Sequence, residues 1–218
     1  HILFFSLFFT AFFGILFGVV AALFQDTMID YGIRTFAVFS DSFPNFFLLT
    51  LLLLVPAILW QYSPPIGYEG PIWEDPWRGA KQFVPPTLLL GLGAAFLTRI
   101  TRSSMLEVLD SRYVLTARAK GLPESLVLRR HALPNALLPA ITVLAIDIGI
   151  LIGGIVVVER VFAFPGLGRL LMYAIEKHDL PLLQAAMLVV TAIYAVANLI
   201  ADVSYAWLNP RIRFGGAA

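Results

Sequence analysis

The residues best suited to chemistry in this chain form one basic segment near its middle. Residues Thr116 to Asn135 read TARAKGLPESLVLRRHALPN and hold four of the fifteen Lys and Arg, although 59% of the chain is hydrophobic. Three roles fit such a segment: a solvated loop whose cations only fix membrane topology, a polybasic patch on anionic lipid, or a docking surface for another protein. Acidic residues at 107, 110 and 124 interrupt the cations, which weakens the lipid interpretation.

The local pattern of this segment favours the docking surface. Apolar and small residues at three- and four-residue spacings predict one amphipathic helix that ends near Gly121; they are Met105, Val108, Leu109, Tyr113, Thr116 and Ala117. Pro123 prevents simple continuation, and SLVLRRHALPN predicts a second short helix closed by Pro134. Two helices joined by a tight Gly-Pro break make a rigid knuckle rather than a flexible linker.

Residue patterns that would indicate catalysis are absent from the sequence. It contains no GxxxxGK[ST] phosphate loop, no HExxH and no cysteine, and its three histidines are scattered. Asp147 and Asp202 lie in different apolar runs without the signatures of an intramembrane aspartyl protease. We therefore expect a chain that is not an enzyme and that itself binds no metal or cofactor.

Two acidic residues outside the basic segment need a role. Asp147 lies near the middle of an apolar run, where a carboxylate usually faces a polar cavity or a partner, so it either lines a path or bonds to a neighbouring helix. Glu159 ends the run VVVE before FAFPGLG, where Pro165, Gly166 and Gly168 predict a turn before a short helix in LLMYAIEKHD.

The elements that must position these residues are predicted to be membrane helices. With 13% charged residues and a net charge of +1, the 218-residue chain has a membrane composition, and its charge argues against nucleic acid as a partner. Apolar spans are predicted at about residues 2–24, 35–60, 84–100, 136–158 and 182–208, the second interrupted near its start by Asp41 and Pro44. Helices satisfy their own backbone in lipid, so we predict an all-α polytopic bundle of five spans.

The connecting segments predict an orientation. QDTMIDYGIR is predicted to form a polar turn. Residues 61–83 are predicted to form a loop with interfacial aromatic side chains, and residues 159–181 a second loop on the same side of the membrane as residues 61–83. Ten of the fifteen Lys and Arg fall on the side of residues 101–135 and of the C-terminal tail, which predicts that this side is cytoplasmic. GxxxG pairs at Gly14 and Gly18 and at Gly149 and Gly153 predict close helix packing. Because the chain starts inside an apolar run and lacks an initiator Met, we expect a missing segment upstream.

LTARAKG followed by HALP, at 115–121 and 131–134, resembles the "EAA" loop of ABC-importer permeases, which inserts into a groove of the ATPase subunit. Leu115 and Thr116 replace the usual Glu and first Ala, and His131 takes a hydrophobic position. The wider sequence at 99–142 and 153–185, with the ending LNPRIR, is similar to the dipeptide and oligopeptide branch of these permeases.

The resemblance implies a type I ABC importer permease fold over residues 1–218, in a bacterial or archaeal cytoplasmic membrane. It also implies that the chain is truncated at its N-terminus, where a further N-terminal transmembrane helix is expected. It implies an ATPase-coupling loop at about 101–135, with contacts from Arg112, Thr116, Ala117, Lys120, Gly121, Leu122, Pro123, Glu124, His131, Leu133 and Pro134. It also implies that the outer element borders the translocation path, for which the candidates are Asp147, Glu159, Phe162, Pro165 and Gly166.

The implied partners are a second homologous permease, two ABC ATPase subunits that bind the ATP and Mg²⁺, an extracytoplasmic substrate-binding protein and the lipid bilayer. The implied function is uptake of di- or oligopeptides, with nickel complexes, glutathione or another small solute as alternatives. Two rivals from other classes are an ion-coupled secondary transporter and a membrane protein that serves assembly or signalling.

Overall fold

The computed structural model describes residues 2–67, 70, 73–92 and 94–208. Within these residues the chain forms eleven α-helices and no strand; the ending at 209–213 lies outside them. The helices are α1 (Ile2–Leu23), α2 (Met28–Asp41), α3 (Asn45–Trp60), α4 (Pro76–Leu92), α5 (Ala95–Leu109), α6 (Arg112–Ala119), α7 (Glu124–Leu126), α8 (Leu133–Ala136), α9 (Leu138–Val161), α10 (Leu167–Glu176) and α11 (Leu180–Leu208). A π-helical segment, Val127–Ala132, joins α7 to α8. The all-α prediction is confirmed.

Helix α1 lies at the centre of the bundle and packs mainly against α4 and α5. Its buried face repeats every three or four residues and is built largely of small side chains: Ile2, Ser6, Thr10, Gly14, Gly18, Ala21 and Ala22. A Cβ on Gly14 would lie 2.5 Å from the Leu97 side chain, and one on Gly18 would lie 2.5 Å from Thr101 Cβ and 2.8 Å from the Thr98 carbonyl oxygen. The predicted close packing is therefore confirmed at this pair.

In the second predicted glycine pair, only Gly149 lies at a close helix contact. A Cβ on Gly149 would lie 2.6 Å from the ring of Tyr194 in α11, so α9 and α11 approach closely there. Among the described residues, no atom lies within 4 Å of a Cβ built on Gly153, and the GxxxG expectation fails at that position.

By length and composition, two described helices, α1 and α11, are each able to cross a membrane alone. Three further spans form if each bent helix pair counts as one: α2 with α3 at 94°, α4 with α5 at 54°, and residues 124–136 with the first half of α9 at 44°. The upper total of five equals the predicted number.

The predicted interruption of the second span near its start is confirmed, because α2 ends at Asp41 and the extended Pro44 separates it from α3. Two predicted boundaries were wrong. Helix α2 begins inside the predicted polar turn, at Met28. The predicted loop at 61–83 becomes helical at Pro76, where the Asp75 side chain accepts hydrogen bonds from the backbone N–H groups of Trp77 and Arg78.

Candidate functional site

The knuckle, residues 112–136, turns sharply at Gly121. Gly121 has φ +74°, its N–H donates to the Arg118 carbonyl at 2.9 Å, and the Leu122 N–H donates to the Ala117 carbonyl at 3.4 Å. These two bonds form a Schellman motif, which satisfies the last carbonyls of α6 and needs a left-handed residue at the corner. Pro123 is extended and precedes α7. The predicted helix end at Gly121 is confirmed.

An ion pair closes the corner from outside. Arg118 Nη2 lies 2.6 Å from Glu124 Oε1, and Arg118 Nε lies 3.1 Å from Glu124 Oε2. The hydrogen bond to Arg118 lowers the pKa of the Glu124 carboxyl, and the same bond raises the pKa of the Arg118 guanidinium. Both side chains are exposed, so the pair orients the two helices more than it stabilises the fold.

A small apolar core lies beneath the corner. Its buried members are Ala22, Met105, Val114, Ala117, Val127, Ala132 and Ala136, with Leu122 packed against them. They come from α1, α5, α6, the π-helical segment and α8. The knuckle is therefore packed onto the ends of α1 and α5, and it cannot swing freely on a loop.

Two predictions about the knuckle were wrong. The single amphipathic helix from Met105 to Ala117 is broken after Leu109, because Ser111 is extended and its hydroxyl donates to the Val108 carbonyl. Pro134 does not close the second helix. Pro134 has no N–H to donate, and in a regular α-helix its ring would clash with the carbonyl four residues before it. The π-helical turns that precede Pro134 are wider than α-helical turns and accommodate the ring.

The helix that contains Pro134 therefore continues towards α9. The Asn135 side-chain amide donates to the His131 carbonyl at 2.9 Å, which satisfies one acceptor that the π-helical turns leave over. The Leu137 N–H donates to the Leu133 carbonyl, and α9 begins at Leu138. Only a 44° bend separates the knuckle from the long helix α9.

The predicted coupling residues differ in their exposure. The exposed ones are Arg112, Thr116, Lys120, Gly121, Pro123, Glu124 and Pro134; the partly buried ones are Leu122, His131 and Leu133; and Ala117 is buried. Ala117 thus packs inside the knuckle rather than on its surface. Sequence reasoning missed the exposed apolar side chains of Tyr113, Leu115 and Leu126, which give this basic surface an apolar component.

A buried ion pair lies next to the knuckle. Asp30 of α2 is fully buried, and its two oxygens accept from Arg102 Nε at 2.8 Å and Arg102 Nη2 at 2.7 Å. Arg34 Nε lies 3.3 Å from the same carboxylate, and the Asp26 N–H donates to it at 3.1 Å. This cluster ties α2 to α5, the helix that leads into the knuckle. Sequence reasoning missed it because the partners lie 72 positions apart.

The candidate path residues do not converge on one site. Asp147 is half-buried in α9, and Glu159 follows twelve positions later, roughly 18 Å along the helix. Glu159 is buried and accepts the Arg169 backbone N–H at 3.0 Å. Phe162 is buried and its ring stacks on Phe164, with ring centroids 5.9 Å apart. The last two candidates, Pro165 and Gly166, lie in the turn before α10, and Pro165 is exposed.

Titratable side chains in the described part of the chain form no group of three that could hold a metal ion.

Comparison with protein families gives a match for residues 14–214, to the family described as binding-protein-dependent transport system inner membrane component. A Brucella abortus (strain 2308) protein named for a peptide transport system permease is 40% identical over 196 residues, covering 89% of this chain and 62% of that protein. The glutathione transport system permease protein GsiC of Escherichia coli (strain K12) is 39% identical, with 89% of this chain and 61% of GsiC covered. The chain thus spans about three fifths of the length of these relatives.

Solved structures share the fold. The MetNI methionine ABC transporter in an inward-facing conformation superposes with a TM-score of 0.74 at 18% identity, covering 95% of this chain and 91% of that one. An amino acid ABC transporter with histidines gives a TM-score of 0.60 at 17% identity, covering 97% and 90%. At such identities the likeness concerns the fold alone.

Proposed function

The chain belongs to the family of binding-protein-dependent transport system inner membrane components, and we propose that it is a permease subunit of an ATP-driven importer whose knuckle receives force from an ATPase subunit. The observation that carries this proposal is the link between the knuckle and α9. A packed element with an exposed basic and apolar surface leads through a bend, without a loop, into a helix that is about 36 Å long.

The exposed residues of the knuckle supply the ATPase contact in this proposal. Arg112 and Lys120 offer charge, Tyr113 and Leu115 offer apolar area, and Gly121 leaves the corner free of a side chain. ATP binding and hydrolysis take place on the ATPase subunits, which alternate between two arrangements. A rigid knuckle passes that motion to the bundle as a rigid-body rotation, which opens the path first to one side and then to the other.

The proposed partners are a second permease, two ATPase subunits and an extracytoplasmic binding protein that delivers the substrate. In this arrangement the knuckle faces the cytoplasm and the turn before α10 faces outward, in accordance with the distribution of Lys and Arg. The substrate proposed is a short peptide, because relatives that are 40% and 39% identical carry the names of peptide and glutathione permeases.

Reconstitution into vesicles tests the proposal. The full-length protein is co-expressed and co-purified with the ATPases and second permease of the proposed complex, and the binding protein is added outside. We expect uptake of a labelled dipeptide or of glutathione that needs both ATP and the binding protein. Uptake driven by an ion gradient without an ATPase would identify a secondary transporter instead. Absence of any substrate-stimulated ATP hydrolysis in a complex that assembles correctly would contradict a transport role.

A further inference from the structure

Helix α10 is held at both ends by two consecutive residues of α9. The carboxylate of Glu159 accepts the backbone N–H of Arg169, near the start of α10, at 3.0 Å. Arg160 Nη2 donates to Glu176 Oε1, in the last residue of α10, at 2.7 Å. Because α10 is about 15 Å long, two neighbouring side chains of α9 thus reach opposite ends of this helix.

The contact at the start of α10 replaces a missing helix cap. The residue before α10 is Gly166, which has no side chain to accept the first free N–H groups of the helix. Glu159 supplies the acceptor from α9 instead, and its negative charge suits a helix N-terminus. A Cβ on Gly166 would overlap the Glu159 carboxylate, so the glycine is what allows the carboxylate to approach.

The second glycine of the PGLG sequence serves the same approach. A Cβ on Gly168 would lie 2.6 Å from Val156 Cα, a backbone atom of α9 that cannot move aside. Two of the candidate path residues, Glu159 and Gly166, thus meet each other.

The turn between α9 and α10 is also fixed. Arg169 Nη1 donates to the carbonyl of Ala163, a residue with φ +55°, at 2.7 Å. From the loop before α4, the Gly67 N–H donates to the Phe162 carbonyl at 2.7 Å. The Phe164 ring stacks on Phe83 of α4, with centroids 5.3 Å apart. Independent contacts therefore leave the turn little freedom to act as a hinge.

We infer that Glu159 is a positioning residue which, with Arg160, clamps α10 onto the end of α9 so that the two helices move as one rigid body. Its carboxylate serves the backbone of α10 and not the substrate. Since α9 adjoins the knuckle at its other end, a displacement of the knuckle reaches α10 without an intervening loop. This consequence for transport depends on the function proposed above, whereas the clamp itself does not.

Spin-label distances test the clamp directly. Residues 1–218 contain no cysteine, so Gly153→Cys and Tyr173→Cys place two labels on exposed positions of α9 and α10. They are measured in the full-length chain within its assembled complex, after replacement of any cysteines in the partners and in the full-length chain outside residues 1–218. Without further substitutions, we expect one narrow distance distribution that is the same with and without ATP. A distance that changes with nucleotide would show that α10 moves separately, and would overturn the inference.

Substitutions at Glu159 and Gly168 test the contact at the start of α10. Glu159→Ala is expected to broaden the distribution about twofold, because α10 loses its cap. Glu159→Gln is expected to keep it narrow, since the amide oxygen accepts the same N–H. Gly168→Ala pushes α9 and α10 apart while the Glu159 carboxylate stays in place, and it should broaden the distance distribution as Glu159→Ala does. Agreement between the two variants shows that the broadening does not come from a folding defect of one of them. A distribution that stays narrow in both alanine variants would overturn the clamp.

Uptake kinetics distinguish positioning from substrate contact. A positioning role predicts that Glu159→Ala lowers the maximal uptake rate by about tenfold at unchanged KM, while Glu159→Gln transports normally. A KM raised about tenfold in Glu159→Gln, with the spin-label distance unchanged, would show that the carboxylate meets the substrate and would overturn the assignment. Should the complex show no ATP-driven uptake at all, the proposed function fails, while the spin-label distances still decide the clamp.

Discussion

Arg118 and Glu124 face each other across the corner of the knuckle, with Arg118 Nη2 2.6 Å from Glu124 Oε1. Glu124 lies just beyond the turn at Gly121 and Pro123, and Arg118 lies just before it. The pair therefore reports whether the two helices of the knuckle keep their mutual orientation, and it can be disrupted without touching the apolar core beneath.

Glu124→Gln is expected to loosen the corner slightly. The pKa of the Glu124 carboxyl is lowered by Arg118, so the contribution of the pair is complete at neutral pH and is lost only as the pH falls through the lowered value, below about 4.5. Amide hydrogen exchange across residues 118–126 should accelerate about two- to fivefold in the variant.

The matched control exchanges the two charges, Arg118→Glu with Glu124→Arg. Slow exchange should return in this double variant, and the difference between wild type and Glu124→Gln should shrink as salt is added. Exchange that is equally fast in the single and double variants would mean that the pair does not orient the corner.

Gly121→Arg is expected to leave membrane insertion intact and to abolish ATP-dependent uptake. No described atom lies within 4 Å of a Cβ built on Gly121, so the new side chain projects outward, onto the surface proposed for the ATPase. Membrane abundance and vesicle uptake are the two measurements.

Gly121→Ala is the control for backbone strain. Its φ of +74° costs a non-glycine residue about 1 kcal/mol, and that cost is common to both variants. The alanine variant should therefore transport, because its small side chain adds little bulk at the corner. Normal uptake by Gly121→Arg would refute the assignment of this corner to ATPase contact.

The sequence analysis predicted local features better than distant ones. Gly121 and Pro123 carry their conformational preferences in their own chemistry, so the corner was predicted correctly. The GxxxG spacing of Gly14 and Gly18 likewise predicted a close helix contact correctly. Pro134 was predicted to close the second helix, whereas the wider π-helical turns before it accommodate the proline and the chain continues into α8.

Long-range partners could not be predicted. Asp30 was assigned to a polar turn. The nearby Arg34 can pair with it but does not indicate burial, and the bidentate partner Arg102 becomes adjacent only when α2 packs on α5. Glu159 was placed beside a path on resemblance, whereas its observed contact is with the backbone of α10. Both cases concern charges whose partners lie on other helices.

Asp30→Ala is expected to destabilise the protein by about 3–5 kcal/mol, because it leaves the guanidinium of Arg102 largely buried without its acceptor. Asp41→Ala is the matched control in the same helix. Its carboxylate lies 3.3 Å from Arg99, both side chains are exposed, and the expected loss is less than about 1 kcal/mol. Thermal unfolding in detergent measures both. Equal losses in the two variants would show that burial of the Asp30 pair does not govern its contribution.

Gly18→Ala is expected to separate α1 from α5. The added methyl group would lie 2.8 Å from the Thr98 carbonyl oxygen, which belongs to the backbone and cannot rotate away, whereas at Gly14 the obstructing atoms belong to the Leu97 side chain. We therefore expect Gly18→Ala to lower the midpoint of thermal unfolding more than Gly14→Ala does. Gly32→Ala is the control, since no described atom lies within 4 Å of its Cβ position; alanine there should stabilise α2 by up to about 1 kcal/mol. If Gly18→Ala and Gly32→Ala unfold at the same temperature, the close contact between α1 and α5 does not limit stability.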